Sequence, residues 1–127
     1  MKYVQTGGVR LSAIGLGTWQ FGSTEWGYGA EYNRVEAGKI VRRALELGVN
    51  LIDTAEFYGF GRSERIVGEA IRGRRDEVFL ATKIFPIGLP LMTSWRARRS
   101  ARRLGVDKID LYQLHWPSPL LDRKSVV

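Results

Sequence analysis

The sequence predicts an α/β fold, a parallel β-sheet covered by helices, and three observations carry that prediction. Short apolar runs alternate along the chain with helical patterns, in the order strand, helix, strand, helix, strand, helix, strand. The runs are near-continuously apolar rather than alternating, the composition of strands covered on both faces. Three of them end in an ionisable residue: residues 51–52 run into Asp53, 78–82 into Lys83 and 109–114 into His115. Parallel α/β proteins collect their chemistry at the C-terminal ends of the strands, so these three residues mark one candidate active-site face.

The elements follow in order. Residues 3–5 and 9–12, around Gly7-Gly8, read as a small β-hairpin ahead of the sheet, within residues 1–12. Residues 13–17 form the first parallel strand. A loop rich in glycine and aromatic residues follows over 20–32. The first helix is expected over about 34–47, with Ile40, Val41, Ala44 and Leu45 inward and Gly48 just past its end. After the strand that ends in Asp53, Ser63 is the expected N-cap of a second helix. Its inner face is Ile66, Val67, Ala70 and Ile71, and Gly73 ends it. The third helix is expected from Thr93-Ser94 to Leu104-Gly105, with Ala97, Ala101 and Leu104 inward.

Composition narrows the function classes. At 127 residues and 44% hydrophobic, the chain is long enough for one domain. It has no cysteine, so disulfides and thiolate metal sites are excluded, and no metal is expected. The N-terminus shows no leader pattern and no run approaches membrane-spanning length, so a cytoplasmic protein without membrane contact is expected. The net charge of +7 arises wholly after residue 60, in part from Arg96, Arg98, Arg99, Arg102 and Arg103. These arginines read as the solvated face of the third helix, and without a stacking module they do not predict nucleic-acid binding. Glu56 is expected to face solvent, and Glu64 to sit in a first helical turn where a carboxylate suits the helix dipole. Neither is assigned a catalytic role.

Several segments taken together resemble the N-terminal half of an aldo-keto reductase. They are Gly15-Leu16-Gly17-Thr18-Trp19, residues 51–59 with Asp53 and Tyr58, Gly61-Arg62-Ser63-Glu64, Ala81-Thr82-Lys83, and Leu111 to Pro117 with His115 and Trp116. The resemblance runs from about residue 9 to residue 117. It implies strands one to four and three helices of a (β/α)₈ TIM barrel. A closed barrel needs about 250 residues, so this chain would supply half of one as a single partial domain. It also implies reduction of an aldehyde or ketone, a small-molecule carbonyl substrate, with NADPH as cofactor.

The roles implied are Tyr58 as acid, Lys83 as its tuner, Asp53 as the anchor of Lys83, and His115 as the group that orients the carbonyl. The chemistry agrees. No side chain donates hydride, so a nicotinamide is required. A free phenol titrates at about 10, and a neighbouring ammonium favours its anion. Gly17, Thr18, Trp19 and Asp53 are expected near the cofactor, although Gly15-Leu16-Gly17 is not a dinucleotide fingerprint. Trp26 and Trp116 are expected substrate contacts, in an apolar slot that Trp19, Phe21 and Phe57 would also line.

Singly, each of the four has an ordinary structural explanation. Jointly, three strand-end groups and one loop tyrosine on one face favour catalysis. A non-catalytic regulatory or binding subunit of the same fold, or a half barrel that dimerises, are the alternative expectations. In the family most of the cofactor site comes from later strands, so the fragment alone is expected to be inactive. Residues 122–127 have no counterpart in the family pattern. One back-translation, GAT CGG AAG AGC GTC GTG, is the string of a common sequencing-library adapter, so this tail is expected to be non-native.

Overall fold

A computed structural model describes residues 1–23, 30–87 and 90–117, with the side chains of 30–33 and of 90 left aside. Trp26 and residues 122–127 lie outside the described residues. The chain opens with an antiparallel hairpin, β1 (Tyr3–Thr6) and β2 (Val9–Ser12), in which Tyr3 pairs with Ser12 and Thr6 with Val9. Four strands then form a parallel sheet in the order β3 (Gly15–Gly17), β4 (Leu51–Asp53), β5 (Phe79–Ile84), β6 (Leu111–Leu114). The connections are α1 (Ala30–Glu46), α2 (Arg62–Ala70) and α3 (Thr93–Leu104). This is the predicted half barrel with its hairpin.

The register decides where the site falls. Gly17 pairs with Asp53, Asp53 with Ala81 and Ala81 with Leu111, so these four form one row across the sheet. Lys83 stands two residues beyond that row and His115 one residue past the end of β6. All the titratable strand-end groups therefore project from one edge. The hairpin occupies the other edge. Ser12 donates its N–H to Asn50 Oδ1 at 2.7 Å, and Asn50, just before β4, returns an N–H to Ser12 Oγ at 3.0 Å.

The core lies between the sheet and the helices: Val41 from α1, Ile66 and Val67 from α2, Ile52 and Leu80 from the strands, and Ile71 and Leu104 just at helix ends. Each such aliphatic side chain contributes roughly 1.5–3 kcal/mol by leaving water. Phe21 belongs to this core and not to a substrate slot, a correction to the aromatic list read from the sequence.

Several boundaries differ from those expected. Helix α1 begins at Ala30, four residues early, inside the segment expected to be loop. Ser63 lies within α2 rather than capping it: Gly61, at φ 85°, holds the N-cap position. The Ser63 hydroxyl is buried instead, donating to Thr18 O at 2.9 Å and sharing a bond with Thr54 Oγ1 at 3.0 Å. Lys83 lies inside β5, and β6 starts at Leu111, two residues later than the apolar run suggested.

Helix α3 holds the largest surprise. Its inner face includes Ser100 and Leu104, and the side chains of Arg96 and Arg103 turn the same way to reach carboxylates. The spacing 96, 100, 103 is helical, but a polar stripe carries it.

Candidate active site

Lys83 sits at the centre of the strand-end group. Its Nζ meets both carboxylate oxygens of Asp53 at 2.6 Å, Thr54 O at 3.0 Å and the Tyr58 hydroxyl at 3.5 Å. The first three anchor the ammonium. The fourth is long for a hydrogen bond. The side chains of Lys83 and Asp53 remain 16% and 38% exposed, so this pair opens to solvent at the mouth of the sheet.

Tyr58 is delivered by the loop after β4. That loop continues the parallel pairing: Thr54 donates its N–H to Ala81 O at 2.9 Å and Glu56 to Lys83 O at 3.2 Å. The chain then turns through Tyr58–Gly61, of which residues 59–61 have left-handed backbone. The tyrosine ring lies edge-on to His115, with centroids 5.6 Å apart, and its centroid is 5.1 Å from Lys83 Nζ. His115 is held by its own N–H, which donates to Ile84 O at 2.9 Å and so extends the β5–β6 ladder. Burial, and then the charge of Lys83, hold its imidazole below the ordinary histidine value. At neutral pH the ring is therefore uncharged. Its Nδ1 is buried and has no partner among the described residues. The structure thus brings Asp53, Tyr58, Lys83 and His115 together.

A cleft of about 350 Å³ runs beside Tyr58 and His115, with Trp19, Phe57, Phe60 and Trp116 on its walls. Phe85, which the sequence reading missed, ties the wall together. It stacks on Phe57 at 4.5 Å and meets Trp116 edge-on at 4.7 Å. Of the residues expected near the cofactor, Gly17 has open space where a side chain would stand, and Trp19 is exposed on the cleft rim. Thr18 is fully buried, donating through its hydroxyl to Asp53 O at 3.1 Å and accepting from Ser63 Oγ at 2.8 Å. Thr18 therefore shapes the turn from within.

Glu56 is internal, against expectation, and Glu64 stands in the first turn of α2 as expected but is buried there. Glu56 is 13% exposed, pairs with Arg96 and accepts the Phe85 N–H at 2.6 Å. Glu64 is wholly buried, accepting from Thr82 Oγ1 at 2.8 Å and Arg103 Nε at 2.5 Å. Sequence patterning missed the burial of both because their partners come from the arginine-rich α3. Among the described residues no cluster could hold a metal ion, and no helix is long and apolar enough to cross a membrane.

Comparison with known proteins agrees with this geometry. The Aldo/keto reductase family pattern matches residues 13–127. An uncharacterized oxidoreductase of Mycobacterium tuberculosis is 54% identical over 95% of this chain and 38% of its own length. The methylglyoxal reductase of Escherichia coli is 42% identical over 98% of this chain and 43% of its own. A crystal structure of an aldo-keto reductase from Klebsiella pneumoniae in complex with NADPH superposes with a TM-score of 0.76 at 40% identity, over 86% of this chain and 37% of that one. The chain spans about two fifths of the length of these relatives. Its matched residues include the four strand-end and loop groups gathered around Lys83, and the chain belongs to the aldo/keto reductase family.

Proposed function

We propose that this chain carries the proton-transfer half of an NADPH-dependent reduction of an aldehyde or ketone to an alcohol. The observation that carries the reading is the line Asp53–Lys83–Tyr58, with His115 edge-on to the same tyrosine beside the cleft.

Each residue has a task. Tyr58 gives its proton to the carbonyl oxygen. The Lys83 ammonium, fixed by Asp53 and Thr54 O, stabilises the negative charge left on the phenol oxygen. An uncharged imidazole donates a hydrogen bond without competing as the acid, so His115 orients the carbonyl rather than protonating it. The residues present fit a nicotinamide on this face. Gly17 leaves room at the sheet edge and Trp19 flanks the cleft. Gly17, Trp19 and Asp53 would lie against the cofactor, and Thr18 would support the turn that presents them. NADPH supplies the hydride when bound. NADPH rather than NADH is proposed on the likeness to the Klebsiella pneumoniae protein, whose structure holds NADPH. Small dicarbonyls such as methylglyoxal are the first substrates to try, because the Escherichia coli relative is named for that compound. Trp116 is proposed to contact the substrate.

A regulatory subunit of the same fold would not need Tyr58, Lys83, Asp53 and His115 in contact, and their assembly favours the reductase. In a complete barrel containing this segment, Tyr58→Phe is expected to lower kcat for methylglyoxal by about 10²–10⁴-fold, the range of a general acid. NADPH oxidation followed at its absorbance band measures it. Turnover at the parent rate would refute the assignment of the acid.

A further inference from the structure

Behind Tyr58 three successive residues, 59–61, hold a left-handed backbone. Phe60 lies at φ 53°, ψ 47°, and among the described residues it is the one non-glycine with positive φ. A side chain there is strained because its Cβ crowds the backbone carbonyl. Gly59 and Gly61 on either side are also left-handed, and both are pinned. A Cβ at Gly59 would lie 2.9 Å from Gly22 O, and one at Gly61 would lie 2.7 Å from Arg103 Cδ. The backbone path is thus set by the two glycines, and position 60 suits glycine or asparagine.

A phenylalanine stands there instead, 82% exposed, so little burial offsets its strain. Strained residues of this kind collect at binding sites. The ring faces the cleft shared with Tyr58 and His115 and meets Phe57 edge-on at 5.2 Å. Through Phe57 and Phe85 it joins one aromatic wall that ends at Trp116. Strand β4, whose loop carries Phe60, has both of its neighbours, β3 and β5, within this chain.

We propose that Phe60 is a specificity-determining residue, held outward to receive an apolar and preferably aromatic substituent of the carbonyl substrate. The inference rests on the reductase reading for the identity of that substrate. An aromatic ring on the carbonyl carbon would lie along the wall while its oxygen faces Tyr58 and His115, gaining ring–ring contact.

The test compares Phe60→Gly and Phe60→Asn with the parent in a complete barrel containing this segment, using benzaldehyde and methylglyoxal with NADPH. The expected result is a rise of about tenfold in the ratio of KM for benzaldehyde to KM for methylglyoxal. In the 127-residue chain itself, Phe60→Gly should leave the melting temperature unchanged or raise it, since strain leaves and little burial is lost. An unchanged ratio of the two KM values would overturn the proposal. So would a lowered melting temperature, which would make Phe60 a packing residue. Loss of the reductase reading itself would show differently, as full turnover in Tyr58→Phe.

Discussion

Strand β5 carries a cation–carboxylate pair on each of its two faces, and the pairs have opposite characters. On the inner face Lys83 meets Asp53, both partly open to solvent, with Tyr58 at the edge of reach. On the outer face the neighbouring Thr82 donates to Glu64, which is sealed under α3 and paired with Arg103. Alternation along a strand puts successive side chains on opposite faces, so two residues in sequence serve two environments. The inner pair leaves the ammonium with a contact to spare for chemistry. In the outer pair the guanidinium also donates to Ser100 Oγ at 3.0 Å. Exposure, more than the pairing, separates a reactive charge from a structural one.

Breaking the outer pair should have the largest effect on stability. Arg103→Met removes the cation from a wholly buried Glu64, and an uncompensated buried charge costs about 3–5 kcal/mol. Urea denaturation of the 127-residue chain should show that loss. A change below about 1 kcal/mol would mean that Arg103 is not needed to compensate the buried carboxylate.

A smaller effect should follow pH. His115 has its folded value below the ordinary 6.5, so its neutral form is favoured by folding. Its contribution is complete above about pH 6.5 and is lost as pH falls through that value towards the folded one. His115→Phe should therefore flatten the stability profile below about pH 6.5, where the parent loses stability as pH falls. This histidine is the only one in the chain, so its proton resonance reports the titration without overlap.

Much of this was legible in the sequence, and the reason is register. Parallel strands align their C-terminal ends, so an Asp, a Lys and a His each ending an apolar run had to meet on one edge. The hairpin around Gly7-Gly8 and the order of the helices were legible for similar reasons of pattern and turn chemistry. Helix α3 was not. Its arginines were read as a solvated face because charge usually marks solvent, yet Arg96 and Arg103 turn inward to carboxylates from other elements. Glu56 is misplaced by the same assumption, and the burial of Glu64, which stands in its expected helical turn, leaves no local pattern because its partners come from other elements. Ser63 looked like a cap, but Gly61 took that position and freed the hydroxyl for the buried bonds to Thr18 and Thr54. Phe60 escaped notice although Gly59 and Gly61 flank it, since only coordinates show that the path between them is left-handed.

The inner pair should matter least to stability and most to turnover. Lys83→Met leaves Asp53 facing solvent, where an open ion pair is worth about 1 kcal/mol or less. The most direct measurement is therefore Lys83→Met in a complete barrel containing this segment, read as NADPH oxidation beside the urea midpoint. The account predicts that turnover falls by about 10²-fold or more while the midpoint stays within about 1 kcal/mol of the parent. Parent-level turnover, or a loss of stability matching that of Arg103→Met, would contradict it.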